Sequence, residues 1–172
     1  GVVEMSRRLA LAVVLVTTAP LPAADPPLHP RLAAEPAAEL AKAARASGDA
    51  GRGAVLFFQP ALACAKCHDG EADVRLGPDL ALAGKEATAE HLIESVLFPS
   101  RVIKKGFETV TVVTADDRTV TGLVAAETAA ALTLTDPAAN GKRVVIPKAD
   151  VVRRTAGAQS LMPDGLANLL SD

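Results

Sequence analysis

The segment ACAKCHDG, residues 63–70, contains both cysteines of this 172-residue chain and places a histidine directly after the second one. Two thiols three positions apart can add to the two vinyl groups of one haem, while the adjacent imidazole reaches the iron from one face. The spacing meets both requirements within a single turn of backbone. We therefore predict that Cys64 and Cys67 attach one haem c covalently and that His68 binds its iron.

Three other uses of this segment stay open. A redox dithiol is expected in a βαβ context, whereas the residues before Cys64 favour a helix. A structural zinc site needs four ligands, so it would have to recruit a further residue such as His91. A plain disulfide over so short a loop would be strained and would leave His68 without a role.

The N-terminus has the pattern of an export signal. Arg7 and Arg8 precede the apolar run Leu9–Val16, and small residues lead to a predicted cleavage after Ala24. The apolar run is shorter than the roughly 20 residues needed to span a bilayer, so no stable membrane span is expected after cleavage. We predict that residues 1–24 are a signal peptide and that the protein is exported to the periplasm, where c-type haem can be attached.

Helical segments are predicted on both sides of the cysteine motif. Residues 25–36 contain four prolines, which fix backbone angles and remove amide donors, so this stretch is predicted to be a linker. Residues 37–46 are strong helix formers and predict a short helix. Asp49 can cap a second helix that runs to Phe58, and apolar residues at helical spacing predict another over residues 88–98.

The character of the sequence changes over residues 107–155. β-branched residues dominate there, and Asp116-Asp117 and Asn140-Gly141 supply turn signals. Alternating apolar and polar residues between such turns are typical of antiparallel strands. The block is therefore predicted to be a small antiparallel β-sheet or barrel inserted into the helical part of the chain.

An iron atom bound by one histidine needs either a second ligand or an open face. Met162 is the one methionine that follows the predicted signal peptide, and it lies in Ser160–Pro163, where the proline stiffens the backbone. We predict Met162 as the second iron ligand, with His91 and His29 as the alternatives. A soft thioether favours ferrous iron and raises the reduction potential relative to two histidines, which suits an electron carrier.

Several stretches in order resemble one known family, the planctomycete and verrucomicrobial type of monohaem, cytochrome c-like haem-binding domain. They are GDAGRGAVLFF (48–58), CAKCH (64–68), LGPDLALAG (76–84), FPS (98–100) and SLMP (160–163). The resemblance covers about residues 49–170. It implies that Cys64 and Cys67 carry the haem, that His68 is the proximal ligand and that Met162 is the distal one.

The resemblance also implies an arrangement of the chain. It predicts a mainly α cytochrome c-like domain with an antiparallel β insertion, α+β overall. Residues 25–48 are then linker and short helix, and residues 49–106 and 156–172 form the haem domain. Within Gly77-Pro78, the carbonyl of Pro78 is expected to accept a hydrogen bond from His68 Nδ1 and so to orient the ring.

Charge and resemblance together limit the functions to consider. The chain has 18 basic and 20 acidic residues, a net charge of −2 and no basic block, so nucleic acid is excluded as a partner. The resemblance implies a carrier of single electrons, not an enzyme, whose partner is a redox protein such as a periplasmic dehydrogenase. A haem peroxidase or ligand-binding protein with an open distal face is one alternative, and a haem-free binding module built on the β insertion is another.

Family members continue past the methionine into a longer helix, so the resemblance further implies that this chain is truncated at Asp172.

Overall fold

A computed structural model describes residues 26–69, 75–82 and 87–170 of the chain. The predicted signal peptide lies outside these described residues. Within them, every helix is too short or too polar to cross a membrane.

The helices are short and begin where the sequence supplies a capping side chain. Asp49 Oδ1 accepts the N–H of Arg52 at 3.0 Å, and Thr88 Oγ1 accepts the N–H of His91 at 3.1 Å. Each bond satisfies a backbone donor that has no partner inside the first helical turn. The predicted start at Asp49 is confirmed, as is the predicted helix after residue 88. The α-helices are α1 (Leu28–Ala34), α2 (Ala37–Ser47), α3 (Ala50–Phe58), α4 (Cys64–His68) and α5 (Ala89–Leu97).

Part of the predicted proline-rich linker is helical. Helix α1 contains Pro30 in its first turn, where the missing N–H would have had no helical partner in any case. The helix packs on the rest of the protein, since the backbone N–H of His29 donates to Asn168 Oδ1 at 2.8 Å. The ring of His29 also meets the ring of Phe98 edge-on, with 6.5 Å between centroids. The predicted linker therefore contains a helix over Leu28–Ala34.

The second half of the described chain is a five-stranded antiparallel sheet in the order β4-β3-β2-β1-β5. Asp117, Asn140 and Gly141 have positive φ angles of 60°, 55° and 78° at the tight turns between strands. The predicted turns and the predicted antiparallel sheet are confirmed. The strands are β1 (Thr109–Thr114), β2 (Thr119–Glu127), β3 (Ala131–Asp136), β4 (Lys142–Pro147) and β5 (Val151–Ala156).

The chain enters and leaves the sheet at one point. Val110 in β1 pairs with Ala156 in β5, and the N–H of Gly157 donates to Thr109 O at 2.8 Å. A side chain at residue 157 would overlap Thr109 Oγ1, so glycine is required at this close approach. Because its two ends are adjacent, the sheet can be inserted between helical segments without separating them.

The main hydrophobic core of the described residues is formed by side chains of the strands. Its members are Val110, Val112, Leu132, Leu134 and Ile146. Helices α3 and α4, in contrast, bury no residue completely.

The predicted fold class, a mainly α cytochrome c-like domain with a β insertion, is wrong. Of the described residues 38% are helical and 24% are in strands, and the sheet has the larger core. A mainly α domain needs helices long enough to build its core, and the longest helix of the described residues has only 11 residues. Such short helices depend on tertiary packing for their stability.

Candidate functional site

The cysteine motif forms the short helix α4, which follows α3 after one tight turn. The N–H groups of Leu62 and Ala63 both donate to Gln59 O at 3.1 Å. Ala63 adopts a left-handed conformation with a φ of 55° and directly precedes Cys64. The turn therefore reverses the chain after α3 and fixes where α4 begins.

The two thiols are present as free cysteines. Cys64 and Cys67 are both half-buried, and Cys64 Sγ lies 3.8 Å from Leu62 O. Burial raises the pKa of the Cys67 thiol above its usual value; nearby Lys66 opposes this effect, and Cys64 adds to it. A raised pKa keeps Cys67 in the thiol form at neutral pH. Both side chains are thus available for covalent chemistry from one side of a short helix.

The imidazole of His68 is held by the loop that contains Gly77 and Pro78. His68 Nδ1 lies 2.8 Å from Pro78 O, which is the contact that the resemblance implied. The N–H of Gly77 donates to Cys67 O at 2.9 Å and joins the same loop to α4 a second time. Because a carbonyl oxygen can only accept, Nδ1 carries the proton in the neutral ring. The lone pair of Nε2 is then left for a metal.

Gly77 lies against the face of this imidazole. A Cβ atom at residue 77 would be 2.7 Å from His68 Cε1 and 2.8 Å from Nδ1, closer than real Cβ contacts. Gly77 is buried, so a side chain added there would enter a packed region. The absence of a side chain at residue 77 is therefore what allows the loop to approach His68.

Gly77→Ala is expected to displace the His68 ring and to lower the free energy of unfolding by about 1–3 kcal/mol, the usual cost of overpacking. Gly53→Ala in α3 is a matched control, because a Cβ there meets no atom within 4 Å. Replacing that helical glycine should stabilise the protein by about 0.5–1 kcal/mol. Urea denaturation of the two variants measures both effects, and equal stability of the two would contradict the close packing at Gly77.

An apolar surface lies beside the motif. Val55 and Phe58 in α3 are 71% and 61% exposed. They line an open hollow of about 640 Å³ together with Ala54, Gln59 and Pro60. The hollow is shallow and open to solvent. The hollow borders the turn that leads into α4, so an apolar group attached to α4 could cover it.

Met162 lies in a loop that is attached to the end of α5. Its N–H donates to Ser160 Oγ at 3.1 Å, and the N–H of Ser160 donates to Ser100 Oγ at 3.1 Å. The side chain of Met162 is half-buried. Among the described residues no hydrogen bond joins this loop to His68, so the role of Met162 as a second ligand stays a prediction.

The two alternative ligands occupy different environments. His91 is exposed in the first turn of α5. His29 is half-buried between α1 and Phe98, and its Nδ1 is buried without a hydrogen-bond partner among the residues that the structure describes. No local pattern in the sequence indicates this environment of His29, because it depends on packing against residues far along the chain.

The structure corrects the expectation of a metal-binding protein of the cytochrome c class in two respects: the fold is not the mainly α one, and the described residues form no metal site from side chains alone. Within residues 26–69, 75–82 and 87–170, no group of three or more His, Cys, Asp or Glu side chains could hold a metal ion. A metal site built from protein side chains needs three or four such ligands. The zinc alternative, which required His91 to join the cysteine motif, is therefore wrong for these residues as well.

One feature of the site was missed in the sequence. Arg75 and Asp79 flank the loop and form an ion pair, with 3.1 Å between Arg75 Nη1 and Asp79 Oδ2. Opposite charges four positions apart on either side of Gly77-Pro78 are the signal that could have identified it.

No model of a known protein family matches this chain, and no curated protein matches it either. The resemblance to a haem-binding domain therefore rests on the quoted motifs alone.

Proposed function

We propose that this chain is an exported electron-transfer domain that carries one haem on Cys64 and Cys67, with His68 as the first iron ligand. The observation that carries the proposal is the contact of 2.8 Å between His68 Nδ1 and Pro78 O. It supports the proposal because it fixes the tautomer in which Nε2 has a free lone pair.

The residues present fit such a group. A porphyrin brings its own ring nitrogens, so the protein needs to add only one or two iron ligands. His68, whose Nδ1 is held by Pro78 O, is a residue that could supply such a ligand. A bound haem supplies a one-electron couple at its iron, and the protein residues attach, orient and shield it.

The apolar surface of α3 supports the same proposal. A haem is large and mainly apolar, and covering exposed apolar area contributes about 25 cal/mol per Å². Val55 and Phe58 offer such area beside the turn that leads into Cys64. A haem attached to α4 would cover Val55 and Phe58 and would explain why these apolar side chains are exposed in the protein alone.

Electron transfer is proposed over enzymatic chemistry because of Met162. A thioether ligand closes the second face of the iron, and a closed face leaves no site for peroxide or another small ligand. Pro163 follows Met162 and restricts the loop that would present its sulfur. The partner in this proposal is a second exported redox protein, such as a periplasmic dehydrogenase.

The test is the visible spectrum of the protein after export in a host that attaches c-type haem. The oxidised wild-type protein is expected to show the weak far-red charge-transfer band of methionine ligation, and Met162→Ala should lose it. His91→Ala is the matched control and should keep the band. A high-spin ferric spectrum in the wild-type protein, together with turnover of peroxide, would instead identify a peroxidase.

A haem-free binding module is the second candidate, because the sheet has a hydrophobic core of its own. If the exported protein is colourless and fully folded under these conditions, this candidate replaces the first.

A further inference from the structure

An ion pair closes the loop that holds His68. Arg75 and Asp79 stand on either side of Leu76-Gly77-Pro78, and their side chains are 3.1 Å apart. The carboxylate of Asp79 makes a second interaction, because its Oδ1 accepts a hydrogen bond from the N–H of Ala81 at 2.9 Å. The loop is therefore fixed at its end by two bonds to one carboxylate.

The pair is more protected from water than the other ion pairs of the described residues. The side chains of Arg75 and Asp79 are 19% and 31% exposed, whereas those of Arg118 and Asp116 in the turn between β1 and β2 are 64% and 60% exposed. Partly buried charges are less screened by salt and solvent, so their interaction is stronger than that of a surface pair.

The closed loop presents two backbone groups to α4. Gly77 donates its N–H to Cys67 O at 2.9 Å, and Pro78 places its carbonyl 2.8 Å from His68 Nδ1. Both groups lie between Arg75 and Asp79 in the chain, so the ion pair restrains the segment that carries them. We infer that Arg75 and Asp79 are positioning residues for His68, which hold the Pro78 carbonyl in place and thereby set the reduction potential.

The inference rests on the proposed function and predicts a direction of change. A strong hydrogen bond from Nδ1 makes the imidazole a better donor and stabilises ferric iron. A loosened loop weakens that bond, so ferric iron loses stabilisation and the reduction potential rises. Arg75→Gln and Asp79→Asn are both expected to raise the potential.

The signs of the two shifts separate positioning from a simple effect of charge. If only charge matters, Asp79→Asn raises the potential because it removes a negative group, and Arg75→Gln lowers it because it removes a positive one. Under positioning, both rise, and the double variant shifts no further than the larger of the two singles. Arg118→Gln removes an exposed cation from the turn between β1 and β2 and should leave the potential unchanged.

The haem-free protein provides a second measurement. In wild type, NMR of ring ¹⁵N-labelled histidine should show His68 with its proton on Nδ1, and both single variants should show a mixture of the two tautomers. A fall in potential for Arg75→Gln, or tautomers unchanged in both variants, would overturn the inference. A colourless wild-type protein whose variants still shift the tautomer would contradict the proposed function and leave the positioning role intact.

Discussion

The double substitution Cys64→Ser and Cys67→Ser is expected to abolish covalent haem attachment completely. A hydroxyl group does not form the thioether bonds, and the chain has no other cysteine to replace the two it loses. The haem stain of the exported protein on a denaturing gel, where only covalently bound haem is retained, measures the effect.

The single variants and Met162→Ala are the controls for this experiment. Cys64→Ser and Cys67→Ser alone should each keep one thioether and therefore a weaker stain. Met162→Ala should stain like wild type, because its predicted role lies at the iron and not at the covalent bonds. Retention of the stain by the double variant would show that the haem is attached elsewhere.

Leu134→Ala is expected to lower the free energy of unfolding by about 2–5 kcal/mol, the usual cost of truncating a core leucine. The side chain of Leu134 is completely buried in the sheet, with an exposed fraction of 0%. A domain of this size has a total stability of about 5–15 kcal/mol, so this loss is a large part of it. The midpoint of urea denaturation, followed by the far-ultraviolet signal of the sheet, measures the change.

Val145→Ala in the neighbouring strand is the matched control. Val145 is 64% exposed, so its truncation should change the stability by less than about 0.5 kcal/mol. Similar losses from the two variants would show that the sheet core does not carry the stability of this part of the chain.

Local sequence signals predicted the local structure well. Asp49 caps the helix that follows it, because a carboxylate can accept an amide hydrogen bond from its own helix. Asn140-Gly141 forms the expected turn because these two residues tolerate positive φ angles. Such features depend on a few neighbouring residues, so the sequence is sufficient to predict them.

Long-range packing could not be predicted in the same way. His29 lies in the predicted linker, yet its backbone N–H donates to the side chain of Asn168, which lies 139 positions further along the chain. The mainly α fold class was wrong because helix propensity does not indicate which element buries the larger core. The contact between Gly77 and His68 likewise depends on how a loop returns to a helix.

The most direct test of the central claim is the intact mass of the exported wild-type protein under denaturing conditions. The mass is expected to exceed that of the processed chain by one haem, and peptide mapping should place the added mass on the fragment that contains Cys64 and Cys67. A folded protein whose mass equals that of the unmodified chain, obtained from a host that attaches haem to a control protein, would contradict the account.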